Sequence, residues 1–279
     1  MKGQPAMRNF SSPNANPSHN QLLAAIQPDK YARLLPHLEL ISIPLGQVLH
    51  EPSSQLRHVY FPINAIVSLL HITEGGATME IAMVGDEGMV GVSSFTDGET
   101  TPYRAVVLST GLAYRLKAQL LNEELNRAGG RRTCETQNLF LRYTQALMTQ
   151  TAQTAVCNRH HSVDQQLCRC LLQIFDRVHS NELTMTQELI ANILGVRREG
   201  ITEAAGKLQR AGLIEYHRGH ITVIDRHGLE ALACECYKVV KQEFNRLLPQ
   251  AAVPNHNCAK SIGRDPTFGC DATRQGVVH

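Results

Sequence analysis

At 279 residues, with 27 Lys and Arg against 25 Asp and Glu, the chain carries a formal net charge of only +2. That excludes a protein that coats nucleic acid by bulk charge and leaves room for one local basic face. The length allows two small domains with buried cores, and no apolar run is long enough to span a bilayer. Residues 1–19 lack the apolar middle of a secretion signal, so a cytoplasmic location without a membrane partner is expected.

Residues 1–18 and 249–279 read as disordered tails, polar and without periodicity. From Asn20 to Leu35, Leu22, Leu23, Ile26, Leu34 and Leu35 fit short helices broken at Pro28. Short β-branched runs follow at 38–43, 48–49, 58–61, 66–72, 78–84, 104–108 and 112–116. Glycines punctuate them, and Thr73-Glu74-Gly75-Gly76 marks a hairpin, so residues 19–128 read as a small β-roll of jelly-roll type. A short helix is expected over 118–128. After Gly129-Gly130, Arg132 to Asn158 holds no Gly or Pro and reads as one long helix within the segment 129–160. Phe140, Tyr143, Leu147, Gln150, Thr154 and Cys157 form one stripe on it. The stripe suits a dimer seam, the alternative being that it packs on its own β-domain. A helix from Ser162, its N-cap, to Val178 opens the last unit, residues 161–248. The fold class is α+β.

The informative stretch begins at Thr186. Thr186 is a good N-cap, and Leu189, Ile190, Ile193 and Leu194 form the buried face of a first helix. Gly195 supplies the positive φ of a tight turn, and Val196 plugs it. A second helix buries Ile201, Ala204, Ala205 and Leu208. This is the pattern of a helix-turn-helix. The second helix presents Arg197, Arg198, Glu199, Thr202 and Glu203 near its N-terminus, where base edges are read. Lys207 and Arg210 suit phosphates. Leu213 to Ile224 reads as a β-wing turning at Arg218-Gly219, with Arg218, and His217 or His220, in reach of a phosphate. Gly228 to Leu248 is expected as one closing helix, with Leu229, Leu232, Ala233, Cys236, Val240, Phe244 and Leu247 on its buried face.

Two of the eight-cysteine chain's pairs read C-x-C, Cys168/Cys170 and Cys234/Cys236. Residues two apart on a helix point to different sides, so neither pair is expected to grip a metal, and no metal site is expected. Reduced, buried thiols are the reading, with Cys258 and Cys270 unpartnered in the tail. His160-His161 with Asp164 suggests a metal only weakly, because neighbouring residues of a helix diverge. No phosphate-cradling G-x-x-x-x-G-K loop, H-E-x-x-H motif or nucleophile elbow occurs, so an enzyme is not expected.

A β-roll, a long helix and a winged helix-turn-helix, in that order, resemble the Crp/Fnr family of bacterial transcription regulators. The resemblance covers Asn20 to Ile224 and is most specific over Thr186 to Ile224. It implies a homodimer that binds a two-fold related duplex DNA site and works with RNA polymerase. Arg198-Glu199 stand where the family's Arg-Glu pair reads the major groove, and Glu203 stands where the family has a further Arg. The effector side departs from the family. Gly91-Val92-Ser93 has the Gly but not the Glu of the cyclic-nucleotide pocket, and Arg104, after Thr101, falls about three positions late. Cyclic AMP binding is therefore not carried over. An iron–sulfur cluster is not implied either, since the first cysteine is Cys134. Haem stays open, with His50, His58 or His71 as axial candidates, although a lone His in a β-domain is more often structural. The alternatives are a haem- or metabolite-responsive sensor whose β-roll is the main site, and a ligand-independent regulator.

Overall fold

The computed structural model describes residues 16–96, 100–127, 135–178 and 180–248. The tail beyond 248, most of the expected N-terminal tail, Gly129-Gly130, Cys134, Cys258 and Cys270 lie outside these residues. Residues 17–19, expected in the N-terminal tail, form a 3-10 turn.

The chain enters through α1 (Gln21–Ala24), capped by Asn20. Asn20 is fully buried, and every polar atom of its carboxamide is used. Its oxygen accepts from the Leu23 N–H at 3.0 Å, and its nitrogen donates to the carbonyls of Pro62 (2.9 Å) and Gly88 (2.8 Å). That pins the entry of the chain to the β-roll, because a buried amide left unpaired would cost about 1–3 kcal/mol. Pro28 does not merely interrupt a helix; it opens α2 (Pro28–Leu34), where its missing N–H is harmless.

Seven antiparallel strands follow: β1 (Glu39–Ile43), β2 (Val48–His50), β3 (His58–Pro62), β4 (Ile66–Ile72), β5 (Thr78–Val84), β6 (Arg104–Ser109) and β7 (Gly111–Lys117). They form two sheets, ordered β1-β7-β3 and β2-β6-β4-β5. Ile43, Val59, Phe61 and Leu116 of the first sheet and Val67, Leu69, Ala82, Val84, Ala105 and Val107 of the second share one core. This is the expected β-roll. Its open end is closed by α3 (Ala118–Asn126) and by the first half of α4 (Glu135–His160), which contributes Leu139, Phe140 and Tyr143 to that core. The Tyr143 hydroxyl donates to the Met89 carbonyl at 2.8 Å. Its ring lies so close to Gly88 that a Cβ there would stand 2.4 Å from it, so only glycine fits.

The second unit comprises α5 (Val163–Val178), β8 (Glu182–Thr184), α6 (Gln187–Leu194), α7 (Arg198–Arg210), β9 (Ile214–His217), β10 (His220–Val223), α8 (Arg226–Leu232) and α9 (Glu235–Leu247). The three strands pair in the order β8-β10-β9. Leu171, Ile174, Ile190, Ile193, Ile201, Leu208 and Ile221 form its core, which continues into Ile66, Met83 and Leu108 of the β-roll. The two units are therefore packed together through the β4–β5 sheet.

Two sequence expectations change here. The stripe Phe140, Tyr143, Leu147, Gln150, Thr154 and Cys157 is buried within its own chain. It packs on the β-roll and on α9, so it is not the face of α4 left for a second copy. The closing helix is two helices, because Ala233 and Cys234 both adopt extended backbone between α8 and α9. Leu232, placed on the buried face from sequence, is 49 % exposed as a result.

Candidate nucleic-acid interface and effector pocket

The helix-turn-helix is built as its sequence specifies. The Thr186 hydroxyl accepts the Leu189 N–H at 3.2 Å, satisfying a free donor at the start of α6. Gly195 ends α6 in the left-handed region at φ 63°, and its N–H bonds back to Ala191. A side chain there would be strained whatever the space. The turn delivers Arg197 as the N-cap of α7 in extended backbone. Ile201, Ala204, Ala205 and Leu208 bury one face of α7 against α5 and α6. Arg197, Arg198, Glu199, Thr202, Glu203, Lys207 and Arg210 all lie exposed on the other face.

These exposed side chains are not equivalent. Among the described residues, Arg197, Arg198, Arg210 and Arg218 have no ion-pair or hydrogen-bond partner for their guanidinium groups. Lys207, expected on a phosphate, instead donates to Asp164 at 3.1 Å and pairs with Glu203 at 3.1 Å. The two carboxylates hold its ammonium above the usual lysine range. Glu203 is thereby occupied too. Thr202 donates to the Gln187 side chain at 2.7 Å and lies 3.1 Å from the Arg198 carbonyl, which links α7 to α6. The free positive charge is thus concentrated at the N-terminus of α7, at Arg210 and at the wing.

The wing forms through β9 and β10, with His217 opposite His220 and Tyr216 opposite Ile221. Arg218 (φ 49°) and Gly219 (φ 84°) make the tight turn, the positive-φ pair that suits a two-residue hairpin. The Tyr216 hydroxyl donates to the Met185 carbonyl at 2.8 Å and anchors the wing beside the start of α6. His220 is occupied by Thr184 at 3.2 Å, while His217 is exposed. Strand β8, which completes this sheet, has no signal in the sequence, being three residues long and held only by pairing with β10.

In the β-roll, Gly91 opens a short 3-10 turn, Val92–Phe95, at φ 103°. A Cβ on Gly91 would stand 3.1 Å from Val59, so the turn lies close against β3. Thr101 is buried, and Tyr103 lies between the Ser93 and Thr101 hydroxyls. Burial pushes the Tyr103 phenol up, against hydrogen bonds to both. Ser93 and Thr101 therefore meet at Tyr103, a residue that sequence reasoning did not single out, while Gly91 of the same turn faces Val59. Arg104 does not join them; its Nε donates to Glu51 at 2.8 Å near the surface. Of the haem candidates, His71 is exposed on β4. His50 is buried edge-on to Tyr60, with ring centroids 5.5 Å apart, and burial lowers its pKa to about 4, so it is neutral. His58 is lowered chiefly by burial as well.

A β-roll joined by a long helix to an exposed, basic winged helix-turn-helix defines a DNA-binding regulator. The Cyclic nucleotide-binding domain model matches residues 40–128 and the Crp-like helix-turn-helix domain model residues 165–232, together more than half of the chain. The chain belongs to the Crp/Fnr family and is a transcription regulator, not an enzyme. It is 21% identical over 198 residues to the Global nitrogen regulator of Synechococcus elongatus, covering 67% of this chain and 86% of that one. Its fold is similar to that of a putative Crp/Fnr regulator from Eubacterium rectale (TM-score 0.60, 18% identity, 77% of this chain and 98% of that one). It is also similar to the c-di-GMP responsive global regulator CLP of Xanthomonas campestris (TM-score 0.58, 15% identity, 71% and 99%). Among the described residues no helix is long and apolar enough to cross a membrane.

Proposed function

We propose that the chain acts as a cytoplasmic homodimer on a two-fold related DNA site and works with RNA polymerase. The observation that carries the DNA reading is the set of exposed guanidinium groups without a partner among the described residues, Arg197 and Arg198 at the head of α7, Arg210 at its end and Arg218 on the wing. Arg198 with Glu199 reads base edges, since a bidentate Arg on guanine and a carboxylate accepting from cytosine both suit the N-terminus of a recognition helix. Arg197, Arg210 and Arg218 hold phosphates and set the register. Thr186 orients α6 rather than touching a base. Thr202, Glu203 and Lys207, tied to the protein itself, shape the helix surface and do not lead the contacts.

The dimer seam in this reading is the outer face of α4. Leu141, Gln145, Met148, Ala152 and Ala155 are exposed and recur at alternating spacings of four and three, the period of a two-stranded coiled coil. Leu141 is 49 % and Met148 68 % exposed, a large apolar exposure for one helix face. Two copies meeting there would place two wings and two recognition helices about a two-fold axis.

A small molecule seated by Gly91, Val92, Ser93 and Thr101 would alter the β-roll, and the shared core through Ile66, Met83 and Leu108 gives it a route to α5 and α6. The Arg104–Glu51 pair withholds the cation that would meet a phosphate, which weighs against a nucleotide as that molecule. Selection of bound sequences from random DNA, with and without a metabolite extract, tests both statements. A palindromic consensus supports the dimeric regulator; recovery of no consensus overturns sequence-specific binding. An extract-dependent shift in recovery supports an effector, and its absence supports ligand-independent action.

A further inference from the structure

Cys157 and His161 lie one helical turn apart at the end of α4, while Cys234 and Cys236 straddle the start of α9. The three thiols form a small buried cluster of their own, and the four ligand atoms all lie within 4.8 Å of one another. Cys157 Sγ is 3.5 Å from Cys234 Sγ, and Cys236 Sγ is 3.7 Å from His161 Nδ1. A tetrahedral ion with Zn–S of about 2.3 Å and Zn–N of about 2.0–2.1 Å holds its ligand atoms about 3.5–3.8 Å apart. We propose that Cys157, His161, Cys234 and Cys236 bind a single thiophilic divalent cation, zinc in the first instance, in a closed Cys3His site.

The surroundings are those of a metal site. His161 turns Nδ1 toward the sulfurs and holds Nε2 3.3 Å from Glu235 Oε1, the carboxylate–histidine arrangement that fixes the tautomer of a ligating imidazole. Cys234 is the N-cap of α9, so its sulfur stands at the positive end of that helix, where an anionic ligand is favoured. Three thiolates, a neutral imidazole and a divalent ion leave one negative charge in excess. Arg169 is 3 % exposed, its charge is felt at both Cys157 and Cys236, and its Nε has no hydrogen-bond partner among the described residues. Its charge also reaches the Glu80 carboxyl, and a metal thiolate beside it would give this buried cation a second, closer counter-charge. The cage is too small for a multi-iron cluster and leaves no open position, so the role is structural.

Its place gives that role a consequence. His161 stands in the turn between α4 and α5, and Gln166 of α5 donates to the carbonyls of His161 (2.9 Å) and Cys157 (3.4 Å). An ion bound there clamps α9 to the joint between the long helix and the DNA-binding unit. Loss of the ion loosens the orientation of the helix-turn-helix while leaving both cores intact.

The test uses the full-length protein, purified under anaerobic, reducing conditions and assayed for zinc. The expected result is one zinc per chain, reduced at least tenfold in Cys234→Ser/Cys236→Ser and unchanged in Cys168→Ser, which alters a buried thiol outside the cluster. Cobalt exchanged into the wild-type protein is expected to show the intense visible bands of a tetrahedral site and a thiolate-to-cobalt band. That measurement stands even where a variant fails to fold. Glu235→Gln, at an exposed position, is expected to fold and to bind zinc about tenfold or more weakly. The proposal is overturned by protein that stays metal-free after reconstitution with zinc, by a weak octahedral cobalt spectrum, by zinc that survives in the double variant, or by a Cys157–Cys234 disulfide in the anaerobic protein.

Discussion

Arg177 of α5 donates through Nε to the Glu87 carboxylate of the β-roll at 2.8 Å, with its NH2 2.7 Å from the same oxygen, and both side chains are nearly enclosed. The remaining guanidinium nitrogen donates to the Gln173 carbonyl at 2.7 Å. The pair crosses between the two units at the point where Gly85 has no side chain; a Cβ there would stand 2.8 Å from the Arg177 stem. It joins the β5 end of the β-roll to the helix that carries the helix-turn-helix.

Breaking one side of such a pair leaves a buried charge unmet, at a cost of about 3–5 kcal/mol, whereas replacing both partners by apolar residues is often close to neutral. Glu87→Ala is therefore expected to lose stability of that order, with a clear fall in the urea midpoint. The double replacement Glu87→Leu with Arg177→Met is expected to regain most of it. Equal losses in the single and double variants would show that the ion pair is not the link.

Arg198→Ala is expected to lose about 1–3 kcal/mol of preference at one base pair of the selected site while nonspecific binding changes little. Arg218→Ala is expected to weaken all sequences alike and to lower the slope of log affinity against log salt by about 1. Lys207→Ala is expected to do neither, because Asp164 and Glu203 already neutralise that ammonium. Fluorescence anisotropy across a salt series separates the three; a Lys207→Ala slope matching that of Arg218→Ala would return Lys207 to the phosphate contacts.

Met148→Asp places a charge at the centre of the outer α4 face. If the proposed dimer forms through this face, the substitution is expected to leave a monomer in sedimentation where the parent is a dimer, and to weaken operator binding far more than thermal stability. The residue is 68 % exposed in the single chain, so the substitution removes little contact within the protomer. An unchanged sedimentation coefficient would place the seam elsewhere.

What the sequence revealed is what local chemistry decides. Thr186, Gly195 and the spacing of Ile190, Ile193, Ile201 and Leu208 act within a few residues of one another, so the helix-turn-helix is legible at that range. The β-roll strands are legible through their β-branched runs and glycine turns. Periodicity also shows that one stripe of α4 is buried, but not by what; the same 3-4 spacing serves a partner helix or the chain's own β-roll and α9. Cys234 and Cys236 point to different sides only on a continuous helix. No Gly or Pro announces the break at Ala233–Cys234, and at a helix start two residues apart can face the same way. Cys157 and Cys234 meet across 77 residues of sequence, a distance over which spacing carries no information. The neutralisation of Lys207 by Asp164 on α5 is hidden for the same reason.

Glu80 of β5 supplies the pH prediction. Its side chain is 4 % exposed and accepts a 2.5 Å bond from the Ser68 hydroxyl. Burial raises its pKa from 4.5 to about 7, against the Ser68 bond and the charges of Arg169 and Arg177, which lower it. Between these two pH values the folded protein holds a proton that the unfolded chain has released. Stability therefore falls as pH rises from about 4.5 to 7, and the full penalty, about 3 kcal/mol, is present above that range. Glu80→Gln keeps an acceptor for Ser68 and carries no charge at any pH. It is expected to match the parent protein near pH 4.5 and to exceed it by about that amount at pH 8, with a correspondingly flatter profile of urea midpoint against pH. A parent and a variant that decline in parallel over the window would assign the slope to another group.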